Sequence, residues 1–293
     1  MKSKKTLFTG VGTALVTPFS DGEIDYTALK RLIELQIEAG VGAIVVGGTT
    51  GEAATLTDRE RYSLFEFARE MTEGKIPLIL GTGTNDTAAA VRHTKFAKEC
   101  GCDGVLLVTP YYNKGTEEGV FRHYMTIIEA ADTPAILYNV PSRTGVNLGI
   151  NLLSRLAECE MVVGIKEASD SADRLVTLAS MRDILPLYAG NDSQIYPTLA
   201  LGGMGVISVV SNILPKRTQE ICDAYFSGNS ARALDIQLSL LPFINTLFLE
   251  TNPAPIKYAM SKVGLIKNEI RLPLSEPRAS TRAAVACELD KIR

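Results

Sequence analysis

The chain has only two histidines, His93 and His123, so a three-histidine metal site is excluded and a Ser-His-Asp triad would have to use one of that pair. Its chemistry must rest on other side chains. The five cysteines, Cys100, Cys102, Cys159, Cys222 and Cys287, are odd in number and show no CxxC spacing, which argues against a disulfide framework or a zinc site and for a reducing, cytoplasmic setting. Neither charge sign dominates: 30 basic and 33 acidic residues leave a net charge of −3 with no long run of either, so no nucleic-acid partner is expected. Uninterrupted apolar runs long enough to span a membrane are also missing. The nearest, Leu199 to Leu214, is broken by Gly202, Gly203, Gly205, Ser208, Ser211 and Asn212. The start, Lys2-Ser3-Lys4-Lys5, imitates a secretion signal only faintly, because the stretch Thr6 to Val16 carries three threonines and two glycines and runs into Pro18, and export is not expected.

What the chain has is an ordinary globular composition, 46% apolar and 22% charged, and a rhythm. Short β-branched runs bounded by turn residues recur at Thr13–Val16, Ala43–Val46, Pro77–Leu80, Val105–Val108, Ala135–Leu137, Val162–Ile165, Pro186–Tyr188 and Val206–Val210. Segments of helical period lie between them. Leu29, Leu32, Ile33 and Ile37 share one face, and Thr57 with Glu60 forms a capping box ahead of Leu64, Phe65 and Ala68. The run ends fall 22 to 34 residues apart, the length of a βα unit, and eight such units close an α/β (β/α)8 TIM barrel. An open doubly wound sheet is the architectural alternative. Beyond about Ser230 no strand pattern returns, and Leu234–Leu249, Ala254–Val263 and Arg278–Leu289 read as helices. The expected organisation is a catalytic barrel over 1–230 and a C-terminal helical extension over 231–293 packed on it.

A barrel builds its active site where the strands end, so the residues after each run carry the functional question. Lys166 is the sharpest candidate. It follows a buried strand directly, where partial desolvation favours the uncharged amine that imine chemistry needs. A salt bridge to Glu167, or a side chain snorkelling out of the barrel end, is the competing structural role. Tyr138 ends the preceding run and could move protons to and from a carbinolamine, with Thr49, Thr50 and Tyr112 as the hydroxyl chain. Each of these also has an ordinary reading as a turn cap or rim aromatic. Arg143, after a Pro-Ser turn, could bind a carboxylate bidentately or form a surface ion pair. Nucleotide motifs fail on spacing: Asp86 stands where Gly81-Thr82-Gly83 would need its third glycine, and neither GxxxxGK[ST] nor GxSxG occurs. Gly190-Asn191-Asp192 is too short and acidic for a barrel phosphate loop.

Several stretches together resemble the pyruvate-dependent class I aldolases, the family of dihydrodipicolinate synthase and N-acetylneuraminate lyase. They are Gly12–Phe19, Gly48-Thr49-Thr50-Gly51-Glu52, Tyr111-Tyr112-Asn113, Tyr138–Gly145, Gly164-Ile165-Lys166-Glu167, Glu250–Lys257 and Arg271–Leu274. The resemblance implies a Schiff base between Lys166 and pyruvate, with Tyr138 as the proton-transfer phenol. Thr49 would relay to Tyr112, which in this family reaches into the adjacent subunit's site. Thr50 would bind the pyruvate carboxylate, Arg143 the carboxylate of L-aspartate 4-semialdehyde, and Gly190 and Ile207 would line the pocket. Also implied are a homotetramer of paired dimers, no metal and no organic cofactor. The pair Arg143-Thr144 after Pro141-Ser142 resembles the synthases of the family more than its sugar-acid lyases. That branch makes 4-hydroxy-tetrahydrodipicolinate, on the route to diaminopimelate and lysine. Lysine-inhibited members tend to carry a glutamate and histidines where this chain has Ala89, Asp58 and Arg61, although Asn85 and Tyr111 match, so weak or absent lysine inhibition is expected. A non-catalytic barrel that binds carboxylates through Arg143 and Thr50 is the reading from another class. It differs in predicting no covalent capture of pyruvate.

Overall fold

The computed structural model describes Lys4 and residues 6–292; Lys2, Ser3 and Lys5 of the signal-like start lie outside the described residues. Eight parallel strands close into a barrel: β1 (Gly10–Ala14), β2 (Ala43–Val46), β3 (Leu78–Gly81), β4 (Gly104–Val108), β5 (Ala135–Asn139), β6 (Val162–Glu167), β7 (Leu187–Ala189) and β8 (Gly205–Ser208). β1 pairs with β8 as well as β2, which completes the ring and rules out the open sheet. Outside it lie α1 (Tyr26–Glu38), α2 (Asp58–Thr72), α3 (Thr87–Glu99), α4 (Glu117–Ala131), α5 (Ile150–Ala157), α6 (Ala172–Ala179), α7 (Ile195–Ala200) and α8 (Pro215–Phe226). Parallel neighbours need crossovers, and helices of this length supply them. A two-strand ribbon, Phe19–Ser20 with Glu23–Ile24, follows β1.

Local chemistry accounts for the helix starts. The α1 cap is Asp25, whose Oδ1 accepts from the Ala28 amide at 2.9 Å. The capping box of α2 forms in both directions: the Glu60 amide donates to Thr57 Oγ1 at 3.2 Å, and the Thr57 amide donates to Glu60 Oε2 at 2.8 Å. Leu29, Leu32, Ile33, Leu64, Phe65 and Ala68 are buried between the helices and the sheet, and Ile37 is half-buried. Inward-facing Ala43, Val45, Ile79, Leu106, Ile136 and Ile207 fill the barrel.

Four strand ends depart from the sequence expectation by two residues, two of them for a polar reason. β1 stops at Ala14 because the Val16 amide turns away to donate to Asn212 Oδ1 at 3.0 Å. β8 stops at Ser208 because the amides of Val209 and Val210 donate to Asp192 Oδ2, at 3.0 and 2.9 Å, instead of to a strand. β5 and β6 run on to Asn139 and Glu167, so Tyr138 and Lys166 are strand residues. The C-terminal segment folds as α9 (Ser230–Thr246), α10 (Ala254–Lys262) and α11 (Ala279–Ile292). α9 lies along α8, and α11 crosses both α9 and α10. The expected helix starting at Leu234 begins earlier, at Ser230, because Asn229 Oδ1 accepts from the Arg232 amide at 3.1 Å.

Candidate active site

The decisive local feature is an irregularity in β6. Against β5 the register runs Ala135 to Val162 and then Ile136 to Gly164, so one residue of β6 is left over. Regular alternation from outward-facing Val162 would send Lys166 out toward the helices and Glu167 into the barrel. The bulge reverses this. Ile165 joins Val162 on the outer face, and Lys166 comes round to the inside, in register with Tyr138 on one side and Tyr188 on the other.

Lys166 is 5% exposed, and its Nζ lies 4.3 Å from the centroid of the Tyr138 ring. Glu167, its sequence neighbour, is fully buried on the opposite face. There Oε2 accepts from Arg174 Nε at 2.8 Å, and Asn139 Nδ2 donates to both carboxylate oxygens. The salt bridge considered for Lys166 and Glu167 therefore does not form, since the strand separates them and Glu167 is already satisfied. The snorkelling alternative fails on burial.

A cavity of about 670 Å³ opens over Lys166 at the C-terminal ends of the strands. It gathers Thr49, Thr50, Tyr138, Arg143 and Gly190 from the expected set. Gly190 is required by a close approach: its amide donates to the Glu167 carbonyl at 2.6 Å, and a Cβ there would come within 2.5 Å of that of Ala168. Ile207 is buried in the barrel interior and does not line the cavity. Tyr112 is also apart from it, 88% exposed on a backbone with φ of 70°, a left-handed conformation that a tyrosine adopts only at a cost. Among the described residues no hydrogen bond links Thr49, Tyr138 and Tyr112 within one chain. Arg143 is exposed at the rim, where its Nη2 donates to the Asn252 carbonyl at 2.9 Å.

Three contributions had no role in the sequence reading. Asn252, in the segment joining α9 to α10, is buried and donates through Nδ2 to Thr50 Oγ1 at 2.9 Å. Tyr188 closes the opposite end of the barrel, stacked on Phe8 with centroids 4.5 Å apart and its hydroxyl donating to the Phe8 carbonyl; burial pushes that phenol's pKa up. Asp192 is buried under the β7 and β8 ends. Burial raises its pKa, opposed by hydrogen bonds from Ser208, Val210 and Val209 and by the charge of Lys166. A motif spacing signals none of these, because each depends on which chain segments meet in space.

The C-terminal segment is pinned to the same loop that carries the threonines. Buried Glu52 and Lys257 form an ion pair, Lys257 Nζ also donates to the Glu269 carbonyl at 2.9 Å, and the Arg271 amide donates to Glu52 Oε2 at 3.0 Å. Burial draws the Lys257 pKa down while Glu52 opposes it. A second cavity of about 440 Å³ shares Thr49, Tyr138 and Arg143 and extends to Thr84, Tyr111, His93 and Arg61. Arg61 is buried, with Nη2 donating to the Ala53 carbonyl at 2.7 Å. Both histidines have lowered pKa values from burial, His123 to about 4, and neither lines the lysine cavity.

The sequence model of the Dihydrodipicolinate synthetase family matches residues 7–292. The chain belongs to this family. A relative named 4-hydroxy-tetrahydrodipicolinate synthase from Clostridium novyi is 48% identical over 272 residues, 92% of each chain. The crystal structure of the dihydrodipicolinate synthase from Thermotoga maritima superposes with a TM-score of 0.95 at 43% identity, covering 97% of this chain and 98% of that one. A structure described as the first monomeric dihydrodipicolinate synthase variant matches equally well, with a TM-score of 0.95, 43% identity and 97% coverage of both chains. Among the described residues no helix is long and apolar enough to cross a membrane.

Proposed function

We propose that this chain condenses pyruvate with L-aspartate 4-semialdehyde to give 4-hydroxy-tetrahydrodipicolinate, through an imine on Lys166. One observation carries the reading: a buried lysine with no carboxylate at ion-pair distance among the described residues, turned inward by a bulge against a tyrosine ring, at the floor of a cavity with Thr50 and Arg143 on its walls. The names of its relatives give the product, and the family resemblance gives the substrate pair.

The reaction follows from what an amine and a phenol can do together. Lys166 Nζ adds to the ketone carbon of pyruvate, and the carbinolamine loses its hydroxyl as water, with Tyr138 supplying and removing protons. The resulting iminium acidifies the methyl group. Loss of a methyl proton gives the enamine, whose terminal carbon attacks the aldehyde. The amine of the second substrate then adds to the iminium carbon and displaces Lys166, which closes the ring and regenerates the free lysine. The protonated imine is the electron sink, so the residues present suffice for the carbon chemistry.

In this reading Thr50 donates to the pyruvate carboxylate, Arg143 holds that of the second substrate, Gly190 shapes the pocket, and Ile207 fills the barrel interior without lining it. Thr49 relays protons to a Tyr112 from a neighbouring subunit. Its exposure and its left-handed backbone support a contact made outside its own chain. The enzyme acts in the cytoplasm as a tetramer of paired dimers. Residues 1–230 serve as the catalytic barrel, and 231–293 cover and brace its rim. Reduction with borohydride in the presence of pyruvate should fix a stable adduct on Lys166, detectable by peptide mass spectrometry. A protein that binds pyruvate without forming the adduct would instead be a carboxylate-binding module.

A further inference from the structure

Asn252 stands in an unusual position for a residue outside the barrel strands. It is buried, lines both cavities and touches the two carboxylate anchors at once. Its side-chain Nδ2 donates to Thr50 Oγ1 at 2.9 Å, and its backbone carbonyl accepts from Arg143 Nη2, also at 2.9 Å. Its Oδ1 is buried without a hydrogen-bond partner among the described residues. Leaving an amide oxygen unpaired in the interior costs stability, so packing alone gives no reason for an amide here.

The direction of the Thr50 bond is the informative part. A threonine hydroxyl has one proton and two lone pairs, and a carboxylate can only accept. While the amide N–H occupies a lone pair of Oγ1, the hydroxyl proton is left to point at another acceptor. In a cavity whose floor is Lys166, that acceptor is the carboxylate of the pyruvate imine. We propose that Asn252 is a positioning residue: its side chain commits the Thr50 hydroxyl to donating toward pyruvate, and its carbonyl seats Arg143 for the second substrate. The C-terminal segment thereby links the two binding steps. Its own position is held by the Glu52–Lys257 pair, and Glu52 lies two residues from Thr50 on the same loop. This inference rests on the imine reading above.

The test uses the full-length protein. In Asn252→Asp the shape is kept and the donor is lost, so the new carboxylate accepts from Thr50 and draws the hydroxyl away from pyruvate. The pyruvate KM should rise on the order of tenfold in Asn252→Asp and in Asn252→Ala. kcat at saturating pyruvate, and the KM for the aldehyde, should stay within about twofold, since the backbone carbonyl that seats Arg143 survives either change. Thr50→Val should raise the pyruvate KM similarly, and Asn252→Ala added to it should raise it no further. An unchanged pyruvate KM in Asn252→Asp, or effects of the Thr50 and Asn252 substitutions that multiply, would overturn the proposal. Should Asn252→Ala fail to fold, the isosteric aspartate decides alone. Failure of the wild-type protein to form the borohydride adduct would instead count against the imine reading itself.

Discussion

In the proposed reading Lys166 and Arg143 divide the work between a covalent and an electrostatic anchor, and substitution should separate them. Arg143→Ala should raise the KM for the aldehyde substrate by about 10- to 100-fold, because a charge-assisted bidentate contact is lost, while pyruvate trapping on Lys166 proceeds unchanged. Steady-state kinetics beside the trapping assay check this. If trapping fails in that variant, Arg143 belongs to the pyruvate pocket. Arg61 gives a second prediction. Its buried guanidinium lies with Tyr111 on the smaller cavity, where an incoming ammonium would meet a like charge, and the one carboxylate lining that cavity among the described residues, Glu52, is already paired with Lys257. Millimolar lysine should therefore leave the condensation rate unchanged, and strong inhibition at submillimolar lysine would refute this account of the cavity.

The loop after β2 and the segment before α11 are joined by charges of two kinds. Lys257 and Glu52 are both buried, so Lys257→Met leaves a carboxylate without a counter-charge and should destabilise the fold by about 3–5 kcal/mol in urea unfolding. Arg271 ties the same segment to the first turn of α2, with Nη1 donating to Glu60 Oε2 at 3.0 Å. The Arg271 bond is the main reason the Glu60 carboxyl is held down at about 2, from 4.5. A depressed carboxyl contributes its stability fully above its unfolded pKa and loses it as the pH falls through the folded one. Stability should thus decline from about pH 4.5 down to about 2, and Glu60→Gln should flatten that part of the curve. Acid titration followed by circular dichroism reads it. The eight βα units and the helical C-terminal segment were legible in the sequence because a parallel sheet covered on its outer face must read as apolar runs at unit spacing. The strand ends were less so. Val209 and Val210 have the composition of strand residues, yet their amides belong to Asp192, a partner seventeen and eighteen positions away that no local pattern announces. Lys166 was legible as a candidate, but the bulge that aims it was hidden in Val163-Gly164, two small residues that look like an unbroken strand.

Tyr112 makes the chain incomplete as a catalyst in the proposed reading, since it projects away from the cavity of its own barrel. Two variants should then rescue one another. Tyr112→Phe and Lys166→Ala should each be severely impaired. Subunits of the two kinds, dissociated and reassembled together, should recover activity, because a Lys166→Ala subunit still offers its Tyr112 to a neighbour whose lysine is intact. A mixture no more active than its parents would mean that Tyr112 acts within its own chain or not at all. Asn252 lies in the stretch Glu250–Lys257, yet its role is not legible there, because its meaning lies in a contact between residues 50 and 252 that only the closed molecule creates.

The bulge in β6 makes two adjacent side chains of opposite charge depend on the pairing of Val163-Gly164 for their assignments. Deleting the extra residue would leave a regular strand with Lys166 still facing inward, whereas the same residues paired without the bulge would present an acid to the substrate chamber and turn an ammonium toward the helices. In that regular pairing the nucleophile would be lost although every residue was still present. The inward aim of the nucleophile therefore rests on how the strand pairs over Val163-Gly164, well below the reaction centre.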